Sequence, residues 1–330
     1  MIRRREFITL LASAAAAPCV LWPLAARAQQ PAMPVIGFLR STPAGPFAHI
    51  VAAFRQGLND TGFIDGQNMA IEQRWADNQL DRLPGLAADL VRRQAAVIVG
   101  NGPAVGAARS AAASTPIVFV IGGDPVAQGL VASLNRPGGN LTGLTWFANK
   151  LGVKRVEMLR ELVPGSGVIA ALIDPNFPEG FTELREVEEA GRTIGTKIVS
   201  VRAGNELEFD AAFKSIVQAD AGALVVIGSP FFTSKSRTLV ALSARHAIPT
   251  ICDIRDYVVA GGLISYSTSF TDAYRQAGVY AGRILKGTKP SELPVLQPTT
   301  FELTINLKTA KALGLTVPPS FHLRADEVIE

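Results

Sequence analysis

The chain has 330 residues, of which 48% are hydrophobic and 18% charged, with a formal net charge of +4. Arg3, Arg4, Arg5 and Arg27 against Glu6 place most of that excess in residues 1–28, and the remainder is close to neutral. A near-neutral surface excludes the basic patch that nucleic acid or an anionic membrane surface requires, and a chain of this length exceeds what one hydrophobic core accommodates, so two domains are expected.

In chain order, Arg3-Arg4-Arg5, an apolar stretch from Phe7 to Leu24 and the triplet Ala26-Arg27-Ala28 read as a signal peptide over residues 1–28, cleaved after Ala28. Arg4-Arg5-Glu6-Phe7-Ile8 is similar to the twin-arginine export motif. Pro18 and Pro23 interrupt the apolar run, which falls short of the ~20 residues a membrane span needs. An exported, periplasmic protein is the expectation. Val35 to Leu39 then reads as a strand, Pro46 to Asn59 as an amphipathic helix with Phe47, Ile50, Val51, Phe54 and Leu58 on one face, and Met69 to Trp75 as an outer strand. A helix from Leu80 to Gln94, a strand from Ala96 to Gly100, a helix from Ala104 to Ala113 and strands at Pro116–Ile121 and Leu141–Trp146 complete the first half. The same rhythm recurs: helix 153–162, strand 168–173, helix 182–194, strand 198–201, helix 209–218, strand 224–227, helix 233–246, strand 250–252. The segment 263–267 closes the second half, and an amphipathic helix from 272 to 286 is assigned back to the first. Phe301–Ile305 reads as a last strand. Cys252 is the single cysteine outside the leader, so no intrachain disulfide can form there.

Runs such as Ile117–Ile121 and Val168–Ile173 are apolar on both faces, which places them in parallel sheets covered by helices. The expected fold is α/β: two doubly wound parallel-sheet domains joined by a multi-strand hinge. The first is assigned to 31–144 plus 270–297 and the second to 145–269 plus 298–330. Ligands of such sheets sit beyond the carboxyl ends of the strands. Those ends carry Ser41, Thr42, Asn101, Gly102, Gly123, Asp124, Asp174, Asn176, Ser229 and Asp253, a set of hydroxyls, amides, carboxylates and helix-start N–H groups suited to a small polar molecule. Ser41, Thr42 and Asn101 are expected to take an anionic or carbonyl group, Asp124 or Asp253 an ammonium or amide. Asp124-Pro125 and Asp174-Pro175 also have the form of a helix cap followed by proline. Trp146, Phe231 and Tyr266, at strand ends or crossovers, could line an apolar part of the ligand.

The other chemistries lack their residues. Gly100-Asn101-Gly102-Pro103-Ala104-Val105-Gly106 departs from the dinucleotide fingerprint in the position of its third glycine. His49, His246 and His322 have no neighbouring ligand-type residue, so no metal is expected. Ser229 lacks the nucleophile-elbow glycine, Phe231 standing in its place. No cofactor and no catalytic residue are assigned.

The stretch Gly123-Asp124-Pro125-Val126-Ala127-Gln128-Gly129-Leu130 through Asn135-Arg136-Pro137-Gly138-Gly139-Asn140-Leu141-Thr142-Gly143 is similar to the signature of the ABC-transporter substrate-binding family that contains the tryptophan- and tyrosine-type binders. The tail from Phe301 to Leu315 resembles that family too. The resemblance implies a type I periplasmic-binding-protein fold, and delivery of a solute to a membrane permease and ATPase. Asp124 matches the family's Asp-Pro-Val aspartate. At Asn101–Ala104, Asp174–Phe177 and Ser229–Phe231 the chain departs from the turns of the aromatic amino-acid binders. The expectation is a non-enzymatic, exported solute-binding component of an ABC importer that closes by a hinge on a small polar or amphipathic ligand, amino-acid-like solutes included. The alternatives are the ligand-sensing domain of a signalling system and an exported hydrolase.

Overall fold

A computed structural model of the protein describes residues 33–146, 148–298 and 300–330, with backbone alone over 148–150. The signal peptide and export motif expected in residues 1–28 lie outside the described residues.

Two sheets organise the chain. The first is built from β1 (Val35–Arg40), β2 (Ala70–Trp75), β3 (Val97–Asn101), β4 (Ile117–Ile121) and β5 (Leu141–Thr145), in the order β2-β1-β3-β4-β5. Every pairing in it is parallel. Helices α1 (Ala48–Asn59), α2 (Leu83–Arg92) and α3 (Gly102–Ala111) connect its strands. The pleat divides the apolar strand residues between two cores: Val97, Val99, Val118 and Val120 on one face, Ile98, Ile117, Phe119 and Ile121 on the other.

The second sheet begins after α4 (Ala148–Leu162). It contains β6 (Val168–Ile173), β7 (Lys197–Arg202), β8 (Ala223–Val226), β9 (Thr250–Cys252) and β10 (Ile264–Ser267), with α5 (Gly180–Thr193), α6 (Phe209–Gln218), α7 (Pro230–Ser234), α8 (Ser236–Arg245) and α9 (Arg255–Val259) between them. The chain then leaves for α10 (Phe270–Leu285), which lies against α1 in the first lobe. It returns for β11 (Glu302–Asn306), α11 (Leu307–Ala312), α12 (Pro319–Arg324) and β12 (Glu327–Ile329). The order is β12-β11-β10-β9-β8-β6-β7, parallel throughout except where β11 runs antiparallel to β10. Two helix-covered parallel sheets of this kind are the pair of doubly wound domains that the strand patterns imply, and the type I periplasmic-binding-protein fold that the resemblance implies.

Several details differ from the sequence reading. The helix expected over 233–246 is two helices with a break at Lys235, because Ser229 caps a short α7 by accepting from the Phe232 N–H and Pro230 occupies its first turn. The last strand expected, Phe301–Ile305, is β11 and lies wholly in the second sheet. The third crossing precedes it, after Leu296 has bridged Leu144 of β5. The chain therefore passes between the lobes three times: between β5 and α4, between β10 and α10, and between Leu296 and β11.

The two longest-range helix partners in the first lobe, α1 and α10, cross at glycines. A Cβ on Gly57 would overlap the carbonyl of Arg275, and one on Gly278 the carbonyl of Phe54. Glycine in a helix interior is unfavourable by up to ~1 kcal/mol relative to alanine, and here the close backbone approach is what requires it.

Candidate functional site

The carboxyl ends of both sheets open on a cavity of about 610 Å³ whose walls come from both lobes. The first lobe contributes Arg40, Asn101, Gly102, Gly123, Asp124 and Trp146, with Phe270 and Tyr274 from α10. The second contributes Phe177, Glu179, Glu183, Ser229, Thr233 and Asp253. Trp146, Phe270 and Tyr274 form one aromatic wall, with edge-on contacts of 5.8 Å between the first two rings and 5.2 Å between the last two. A smaller cleft of about 490 Å³ is lined by Ser41, Asp174, Asn176, Phe177 and Phe231.

Seven of the thirteen residues singled out in the sequence line the larger cavity: Asn101, Gly102, Gly123, Asp124, Trp146, Ser229 and Asp253. Ser41, Asp174, Asn176 and Phe231 line the smaller cleft instead. The Ser41 hydroxyl accepts from Asn101 Nδ2 at 2.8 Å while its backbone N–H donates to Asn101 Oδ1 at 3.0 Å, so these two residues satisfy each other and stitch β1 to β3. Asp174 accepts from the Asn176 backbone N–H, and the Asn176 side chain donates to the Gly204 carbonyl. Phe231 stacks on Phe209 at 5.6 Å. Thr42 is fully buried and lines neither space. Tyr266 also lines neither: it stacks on Phe301 at 6.0 Å and packs on the second lobe's core. Asp124 uses one carboxylate oxygen to hold the N–H groups of Val126 and Ala127, the capping role its following proline suggests.

Arg40, Glu179, Glu183, Phe270 and Tyr274 were not singled out by the sequence. Arg40 directly follows an apolar strand and is 2% exposed; a charged residue buried at such a strand end is unusual, and that position was its one signal. Burial pulls its guanidinium down to about 9. Glu183 and Tyr274 read as ordinary positions on amphipathic helices.

The second lobe's wall is acidic, with Glu183 and Asp253 buried in it. Glu183 forms an ion pair with Arg155 at 2.7 Å, with both side chains buried, and also accepts from the Gly228 N–H. Burial raises Glu183 to about 7, against the pull of Arg155, with Asp253 adding to the rise. Burial likewise lifts Asp253 to about 6, and its Oδ1 has no hydrogen-bond partner. These folded values exceed the ordinary 4.5 and 3.8, so the folded state holds protons that the unfolded chain has released. The resulting stability is fully present below about pH 4 and is lost as the pH rises through 6 and 7. The carboxyls pulled low by surface partners, such as Asp89, Glu161 and Glu327, titrate below this range. Urea denaturation of the unliganded protein should therefore show stability falling by roughly 2–4 kcal/mol between about pH 5 and pH 8. Glu183→Gln should flatten that slope; an unchanged slope would assign it to other groups.

The lobes touch across the cavity. Asn78 donates to Ser234 at 3.0 Å and His49 lies 3.3 Å from Asp256. A Cβ added at Gly102 would come within 3.3 Å of the Phe177 ring, and one at Gly123 within 3.3 Å of Glu179. Among the described residues, no group of three or more His, Cys, Asp and Glu could hold a metal ion. No helix among them is long and apolar enough to cross a membrane.

A two-lobed α/β scaffold with a mixed-polarity cavity between strand ends is the form of a small-molecule receptor. Residues 43–329 match the ABC transporter substrate binding protein family, and the chain belongs to it. It is thus a solute-binding protein that takes a small molecule, and not an enzyme. The chain is 25% identical over 264 residues to a tyrosine-binding protein of Clostridioides difficile, covering 79% of this chain and 75% of that one. Among solved structures, it superposes on a Streptococcus pneumonia ABC domain in complex with L-Trp with a TM-score of 0.81 and 25% identity, over 90% of this chain and 99% of the other. A conserved domain protein of Vibrio cholerae matches with a TM-score of 0.83 at 22% identity, over 90% and 99%.

Proposed function

We propose that this protein is the exported solute-binding component of an ABC importer. The two halves, 31–144 with 270–297 and 145–269 with 298–330, close about the three crossings on a ligand, which is then handed to a permease and ATPase in the inner membrane. Residues 1–28 direct export to the periplasm and are removed. Asn101, Gly102, Gly123, Asp124 and Trp146 from one side and Ser229 and Asp253 from the other are the proposed ligand contacts. One observation carries this reading: a cavity of about 610 Å³ is walled by both lobes. Contacts made to both lobes at once exist only when they are apposed, so a ligand that fills the cavity shifts the population toward closure.

Native mass spectrometry of gently purified protein should show one equivalent of a small solute. Its removal should lower the thermal midpoint and enlarge the radius of gyration measured by small-angle scattering, and its return should reverse both. A protein that carries no solute, and whose dimensions respond to none, would end this reading.

A further inference from the structure

The gap between the lobes is divided. The cavity of about 610 Å³ and the smaller cleft of about 490 Å³ share a wall, since Phe177 and Pro230 of the second lobe line both. On the first lobe, Asn101 and Gly102 face the larger space while Ser41 and Pro103 face the smaller. Ser41 and Asn101 are bonded to each other at the strand ends, and Pro230 is fixed in the first turn of α7. The Phe177 ring spans what remains between the lobes. It reaches from the loop after β6 to the start of α3, where a Cβ on Gly102 would meet it at 3.3 Å.

The loop that carries this ring is tied down. The Phe177 N–H donates to the Asp174 carbonyl, and the Phe177 carbonyl accepts from the Gly180 N–H. Asn176 is held by Asp174 on one side and by the Gly204 carbonyl on the other. A wall fixed in this way discriminates by shape, and a misfit against packed apolar surface weakens binding. Each space alone has the roughly 300–1,000 Å³ of an ordinary ligand pocket, so a solute that fills the larger one has no need of the smaller.

We infer that Phe177 sets the length limit of the ligand: the solute is confined to the larger cavity, and shortening this side chain joins the two spaces, admitting a longer solute whose added end is uncharged or cationic. The inference rests on the solute-binding reading above and specifies the size its ligand can have. The preferred charge of the added end follows from the smaller cleft. There Asp77 is paired with Arg82 and Glu206 with Lys235, whereas Asp81 and Asp174 have no cation within ion-pair distance among the described residues. An extension ending in an ammonium or an amide suits that surface, and one ending in a carboxylate is repelled by it.

The test is competition read by native mass spectrometry. Wild type, Phe177→Val and Phe177→Ala, each stripped of copurified solute, are offered an equimolar mixture of the standard amino acids, their N-glycyl dipeptides, their aminoacyl-glycines and their aminoacyl-glycinamides. Wild type should capture a single amino acid over each of its extended forms by about tenfold or more. Phe177→Ala should capture an N-glycyl or glycinamide form within about threefold of its parent, and about tenfold over the matching aminoacyl-glycine, with Phe177→Val in between. The readout is the ratio of extended form to parent, which a general loss of affinity or stability leaves unmoved. An extended form that binds wild type within about threefold of its parent, or full exclusion retained by both variants, overturns the inference. If wild type captures nothing from the mixture, the solutes released by wild type and Phe177→Ala purified from the same cells are weighed instead. A heavier solute in the variant supports the inference. The same solute, a lighter one or none overturns it and leaves the solute-binding reading standing. If wild type neither captures nor carries a solute, that reading falls and the inference with it.

Discussion

Gly57→Ala and Gly278→Ala should each destabilise the protein by about 3 kcal/mol or more, a loss of roughly 6–9 °C in the thermal midpoint. The added methyl at either site points into the carbonyl of the facing helix, at Arg275 or Phe54. Backbone cannot give way as the end of a flexible side chain can, so α1 and α10 must move apart. Their shared core, containing Phe54, Leu58, Tyr274 and Ala277, would then be underpacked. Because α10 also carries Phe270 and Tyr274 into the cavity wall, ligand affinity should fall together with stability. Gly85→Ala is the internal control. It lies exposed in α2 with open space around it, and helix propensity alone should raise stability by up to ~1 kcal/mol. Calorimetry of the three variants checks both signs, and a loss below about 1 kcal/mol at Gly57 and Gly278 would show that the crossing is looser than described.

Arg155→Met should be of similar severity, about 3–5 kcal/mol near neutral pH, because it leaves the Glu183 carboxyl buried without its counter-charge. Glu183 is already raised to about 7 by burial while Arg155 opposes the rise. Without Arg155 it rises further, and the folded protein must take up a proton to keep it buried. The deficit should therefore shrink as the pH is lowered toward 5, since protonating the carboxyl becomes easier. The double variant Arg155→Met, Glu183→Leu removes both charges and should recover most of the loss, as replacing a whole buried pair with apolar residues commonly does. Chemical denaturation at two pH values reads all of this, and a deficit independent of pH would assign the effect of Arg155 to packing alone.

Much of the fold was legible because it rests on local patterns. Ile117–Ile121 and Val168–Ile173 are apolar at every position, and only a sheet covered on both faces accommodates that. The faces of α1 and α10 follow from helical spacing. Less legible were the short pieces: α9, α12 and β12 are too brief to show a period, and their placement comes from docking on a finished sheet. The candidate site was partly legible for the same reason. The strand ends open on the larger cavity, and Asn101, Gly102, Gly123, Asp124, Trp146, Ser229 and Asp253 all line it. Phe231 and Tyr266 have the same credentials in sequence, yet one stacks on Phe209 and the other on Phe301.

What the sequence determined by itself is the α/β class and the end of each sheet at which polar groups gather, since both depend on residue type and local period; the family came from the likeness of the stretches 123–143 and 301–315 to its signature. What only the tertiary structure decided is which of those groups share a cavity and which satisfy one another. Ser41 is taken up by Asn101, Asp124 by its own turn, and Glu183 by Arg155, while Arg40, held against Phe47 and Tyr274, has no carboxylate partner among the described residues. The physical reason is that burial and pairing belong to residues far apart in the chain. Arg40 and Tyr274 are 234 positions apart, and no periodicity carries that distance.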